Sequence, residues 1–228
     1  MFNRSETPLL TLPGPRGLPI EIAPSFLFLA FIFVGLNVSQ HALIFFGLIA
    51  LAILLHELGH AWGAWVQGNG VRRVVLWGGG GFCEYTRASP PRERELEVAM
   101  GPLANLALWA LSSLAGGWLI DGYYATGHDM LWYVGWYVDL FAAINLTLFA
   151  LNLIPVQPLD GGKLLELALL RLTSTGRAMR ITGTVGLVFA VLWLPAMLVS
   201  FLTWGWLLLF IPSIPLHWRM ARGEVVAY

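Results

Sequence analysis

Ala42-Leu43-Ile44-Phe45-Phe46-Gly47-Leu48-Ile49-Ala50-Leu51-Ala52-Ile53-Leu54-Leu55-His56-Glu57-Leu58-Gly59-His60 is the stretch that decides the fold. Its first fourteen residues are apolar and uncharged. As a helix they cover about 21 Å, against about 30 Å for the hydrocarbon core of a bilayer. The run reads as a transmembrane helix, and its last turn sets His56 and His60 on one face. Both imidazoles can reach a single metal ion there, and zinc suits neutral imidazole. Glu57 stands one step round, placed to take a proton from attacking water. Ionisable groups at this depth are costly, so their presence points to function. The plain alternative is a pair of histidines that cap or hydrogen-bond at a helix end.

Composition agrees with the helix. The 228 residues are 57% hydrophobic and 11% charged, where soluble domains carry about 25% charge. An integral membrane protein follows. A formal net charge of zero argues against a nucleic-acid partner. Cys83 is the single cysteine, so it can neither pair internally nor complete a zinc-finger site. The N-terminus shows no basic start with a short apolar run, so no cleaved signal peptide is expected.

Upstream of the motif, residues 1–19 are rich in proline and glycine and predict an extended arm. Pro24 can open a first helix through the apolar run Phe26 to Leu36. Residues 37–41 form a polar turn, with His41 exposed. Ala42 to Val66 is the second helix, and Gly59 and Gly63 on it favour close packing.

Downstream, Gly68-Asn69-Gly70 ends that helix. Val71–Trp77 and Phe82–Thr86 predict two strands around the glycines 78–81. Those glycines are either a flexible connector or the border of a strand edge open to an extended peptide. Leu96 to Ile120 is the third helix and holds Gly101-Pro102-Leu103-Ala104-Asn105. The buried Asn105 amide needs a partner. Asp121 to Met130 is a polar turn, with His128 on the surface.

Leu131 to Leu153 is the fourth helix, carrying Asp139, Asn145 and Asn152. Asn145 and Asn152 are seven apart and share a side. Pro155 and Pro158 break the helix, and Asp160 follows on unwound backbone. Such backbone at membrane depth is covered by protein or lines a wet cavity. Asp160 then reads as a third ligand that leaves a fourth position for water, or as a plain turn outside the membrane. Lys163 to Leu172 is a short amphipathic helix. Ile181–Ser200 and Phe201–Leu216 are two further apolar runs.

The predicted class is an all-α membrane protein of about six transmembrane helices, with a small membrane-associated β-hairpin after the second. Residues 1–19 are an extended cytoplasmic arm. Residues 20–228 are one polytopic domain, with the catalytic core at about 42–172. All 13 Lys and Arg lie in the arm, in 67–95, in 154–180 and after His217, and the 37–41 and 121–130 loops hold none. The positive-inside rule then puts both termini, His60, the glycine run and Asp160 toward the cytoplasm.

His56-Glu57-x-x-His60, Gly101-Pro102-x-x-Asn105 and Asn152-x-x-Pro155-x-x-Pro158-Leu159-Asp160-Gly161 together resemble the site-2 protease family of intramembrane zinc metalloproteases. The motifs stand in the family's order, and the Val71–Thr86 segment looks like its membrane-associated β region. The resemblance covers roughly residues 45–175 and implies His56, His60 and Asp160 as ligands of one zinc ion. It implies Glu57 as the catalytic acid and base, with Asn105 and Asn152 near the site, holding substrate or the oxyanion. It also implies hydrolysis of membrane-anchored proteins in or near their transmembrane segments, in a prokaryotic inner membrane. The chain looks like a minimal form, without PDZ or CBS domains. Two other readings compete. One is a proteolytically silent relative that keeps zinc, against which the intact Glu57 counts. The other is a metal transporter, against which the absence of a clear repeat counts.

Overall fold

A computed structural model describes residues 6–35, 38–204 and 210–224. The chain divides into two units, one of residues 1–89 and 99–150 and the other of residues 90–98 and 151–228.

The first unit begins where the sequence predicts only an arm. Leu10–Pro13 (β1) and Pro19–Ile22 (β2) pair antiparallel. Val71–Trp77 (β3) pairs parallel to β2, and Gly80–Tyr85 (β4) closes a four-stranded sheet in the order β1-β2-β3-β4. The prolines do not prevent this. Pro13 and Pro19 face each other at strand ends, where a missing N–H costs the ladder little. The expected hairpin is present as β3–β4, extended by two strands that the proline content hides. Arg73 ties three strands together, its Nε 2.6 Å from Glu84 and its Nη1 2.8 Å from Glu21. The hydrogen bond from Arg73 holds the Glu84 carboxyl below the usual carboxylate range.

Phe26–Val34 (α1) has 9 residues, about 13–14 Å of helix and too short to cross a bilayer. Gly35 stops it at a φ of 63°, a left-handed turn that the apolar run does not announce. Gln40–Val66 (α2) carries the motif helix, capped by the Ser39 hydroxyl, which accepts from the Ala42 N–H. Phe26 and Leu29 of α1 pack with Ile49 and Ile53 of α2 and Leu76 of β3.

Pro91–Thr126 (α3) is one helix of 36 residues through Pro102. The polar residues from Asp121 onward do not end it. Gly127, at a φ of 73°, does. Asp129–Asn152 (α4) follows at once. Trp118, Tyr124, Tyr133 and Trp136 around this connection are exposed, as in the aromatic belts of membrane interfaces.

In the second unit Asp160–Leu170 (α5) follows a proline-rich turn. Thr175–Trp204 (α6) runs through Pro195 without a break, and Ile214–Ala221 (α7) is a short helix. The sixth expected span, Phe201–Leu216, is not a single helix among the described residues, and 205–209 lie outside them. Among the described residues, four helices are long and apolar enough to cross a membrane: Gln40–Val66, Pro91–Thr126, Asp129–Asn152 and Thr175–Ser200. The chain is thus mostly helical with a small sheet, and the expected count of six falls to four among the described residues.

His217 of α7 locks the turn before α5. Its Nδ1 lies 2.7 Å from the Ser213 carbonyl, and its Nε2 accepts from the Gln157 N–H at 3.1 Å. The ring is fully buried, and burial lowers its pKa below the ordinary histidine value. The unfolded chain therefore binds this proton more readily, so stability is lost as pH falls below about 6.5. Between pH 7.5 and 5.5 the thermal midpoint is expected to drop in wild type and to stay flatter in His217→Asn. Parallel curves for the two proteins would contradict it.

Candidate metal centre

His56, Glu57 and His60 are all buried on α2, and each offers a ligand atom within 4.8 Å of the others. The two rings stand nearly perpendicular, at 87°, with Nε2 facing Nε2 at 3.1 Å. Two bonds of about 2.0–2.1 Å can meet across that gap, so the pair fits zinc. Helical spacing delivers this: residues four apart share a face, and both side chains lean toward the same turn.

The site is built against glycines. A Cβ at Gly101 of α3 would collide with His60 Cε1 and Nε2 and sit 2.8 Å from His56 Cε1. A Cβ at Gly59 would sit 2.5 Å from the Met100 carbonyl oxygen, so α2 and α3 touch backbone to backbone. A Cβ at Gly81 of β4 would sit 2.5 Å from Glu57 Cγ and 2.8 Å from its Oε1. β4 is an outer strand of the sheet, and its face at Gly81 lies against the Glu57 carboxylate. Within the glycine run, Gly78 and Gly79 form the turn of the hairpin, and Gly80 and Gly81 open β4.

Asn105 is fully buried, and its Oδ1 lies 2.6 Å from His56 Nδ1. Its Nδ2 donates to Asn145 Oδ1 at 2.8 Å, and Asn145 Nδ2 donates to the Phe141 carbonyl at 2.8 Å. Asn105 thus joins the motif histidines by holding one of them. Asn145 was no more than a side-sharing residue in the sequence. Two buried amides on separate apolar helices, each in need of a partner, are the signal that links them.

Asn152 and Asp160 belong to the second unit. Asn152 is half-buried at the end of α4. Asp160 is buried as the first residue of α5, with Lys163 Nζ 2.9 Å from its Oδ1. A carboxylate at a helix N-terminus is favoured by the helix dipole. The turn before it folds back tightly: a Cβ at Gly161 would strike the Leu153 carbonyl and lie 2.6 Å from that of Ile154, and one at Gly162 would lie 2.6 Å from Val156 C. That contact explains the paired glycines after Asp160. His41 is exposed as expected, but its Nδ1 lies 2.6 Å from the Tyr137 hydroxyl.

Residues 124–193 match the family model of Peptidase family M50. Over 182 residues the chain is 26% identical to the zinc metalloprotease MJ0392 of Methanocaldococcus jannaschii, covering 78% of this chain and 50% of that protein. Over 150 residues it is 30% identical to the stage IV sporulation protein FB of Bacillus subtilis, covering 63% of this chain and 46% of the relative. The chain spans about half the length of these curated relatives. A solved structure titled as the site-2 protease from Methanocaldococcus jannaschii shares the fold, with a TM-score of 0.57 at 22% identity over 96% of this chain and 97% of that one. The segment that matches the model of Peptidase family M50 contains the Asn152-to-Gly161 motif, and upstream of it α2 carries the paired histidines.

Proposed function

We propose that this chain is an intramembrane zinc metalloprotease that hydrolyses peptide bonds in or near the transmembrane segments of membrane-anchored proteins. The observation that carries the reading is the convergence of two imidazole Nε2 atoms beside a buried glutamate on an apolar helix. His56 and His60 supply two ligands to one zinc ion, and Asp160 supplies the third, as the family resemblance implies. When bound, zinc is a Lewis acid that polarises a carbonyl and lowers the pKa of water to about 7.

The chain's own residues do the rest. Glu57 takes the proton from the attacking water and returns it to the leaving amine. Asn152 hydrogen-bonds the oxyanion that develops on the scissile carbonyl. The outer edge of β4 offers backbone groups to an unwound, extended substrate and so lays its scissile bond beside Glu57. A helical substrate must first unwind, because its own turns shield the peptide bond. The basic segments 67–95 and 154–180 face the cytoplasm of a prokaryotic inner membrane, and substrate and water reach the site from that side.

The experiment uses the purified chain in detergent with a panel of single-span substrates. Cleavage is expected to stop when a chelator strips the metal and to return with zinc at about one ion per chain. Cleavage that persists in stripped protein would overturn the reading.

A further inference from the structure

We infer that Asn145 and Asn105 are positioning residues that force His56 into the tautomer a metal needs, and that the polarity of this relay is set by one backbone carbonyl. The inference rests on the metal reading above. A carbonyl oxygen can only accept, so Asn145 must turn its Nδ2 toward the Phe141 oxygen, 2.8 Å away. That leaves Asn145 Oδ1 facing Asn105, which must answer with Nδ2, at 2.8 Å. Asn105 therefore presents Oδ1 to His56, and the 2.6 Å contact requires a proton on Nδ1. In the neutral ring the other nitrogen, Nε2, then carries the lone pair. Nε2 is the atom that stands 3.1 Å from His60 Nε2. No member can be flipped alone without setting oxygen against oxygen or N–H against N–H.

Burial gives the relay its force. Both asparagines are fully buried and His56 is 6% exposed, so water cannot replace a lost partner and every mismatch is costly. The relay also joins α2, α3 and α4, which fixes the ring's direction as well as its tautomer. A neutral amide does this without adding a charge to a buried site. Metal-bound histidines usually have their second nitrogen held in this way, and losing the holder typically costs 10–100-fold in metal affinity. On this view Asn105 acts through His56, and its Oδ1 is engaged there rather than on substrate.

The test is zinc affinity by chelator competition on the full chain, with the nitrogen NMR signature of His56 as a second readout. Asn105→Leu is expected to bind zinc about 10–100-fold more weakly. Asn145→Leu is expected to lose less, about threefold to tenfold, because it acts one bond further away. Asn105→Asp keeps an oxygen acceptor on His56 but sets its second oxygen against Asn145 Oδ1, so it is expected to bind zinc more tightly than Asn105→Leu and more weakly than wild type. A single cooperative zinc-free melting transition shows that each variant folds. In wild-type protein stripped of metal, His56 is expected to carry its proton on Nδ1. A proton on Nε2 there would overturn the inference without any variant. Wild-type affinity in both leucine variants, or equal loss in Asn105→Asp and Asn105→Leu, would overturn it too. Failure of the wild-type chain to bind zinc would sink the metal reading instead, and the tautomer measurement still decides the relay.

Discussion

Glu57→Gln is expected to cut cleavage of membrane-anchored substrates by about 10²–10⁴-fold, the span of a positioned general base, while zinc stoichiometry stays as in wild type. The two amino acids have nearly the same shape, and shape matters here. The carboxylate is 6% exposed, and the Gly81 backbone lies so close that a Cβ there would come within 2.8 Å of Oε1. Glutamine fills that space and leaves the imidazoles of His56 and His60 where they are. What it lacks is the ability to hold a proton between the attacking water and the leaving amine. The comparison needs rates from both purified proteins on the same substrates, with metal content measured in each preparation. Equal cleavage by both would take the carboxylate out of the mechanism. A wild type that binds zinc and cleaves none of the panel would favour the silent relative.

The motif helix was legible because its signals are local. Fourteen apolar residues and a four-residue spacing of histidines need no tertiary information to read. The β3–β4 hairpin was legible for the same reason. β1 and β2 were not, because proline at strand ends looks the same in sequence as proline in a loop. Helix lengths failed at glycines. Gly35 and Gly127 end helices by taking positive φ, while Gly59 and Gly101 lie inside helices and admit neighbours. Sequence alone does not separate these uses. Glu57 and the histidine pair could be named as a cluster, whereas the hold of Asn145 on Asn105 depends on how three helices are packed.

Gly101→Ala is expected to lower zinc affinity by at least about a hundredfold, the upper range for losing an outer partner, because it displaces a ligand itself. The added methyl would fall on His60 Cε1 and Nε2, and 2.8 Å from His56 Cε1. Carbon atoms rest about 3.5–4.0 Å apart, so the His60 ring must retreat by about 1 Å. A metal–nitrogen bond tolerates about 0.2 Å. The helices cannot take up the difference cheaply. Gly59 already lies against the Met100 carbonyl, and a shift of α3 away from α2 would open that contact along with the site. Alanine is itself the better helix former by about 1 kcal/mol, so backbone propensity cannot explain a loss. Gly117→Ala provides the control: it lies on the same helix, and nothing stands within 4 Å of its Cβ position. It is expected to bind zinc as wild type does and to melt no lower. If Gly101→Ala also retains wild-type affinity, the imidazoles do not lie against α3 as described, and the close approach of α2 to α3 is not what shapes the site.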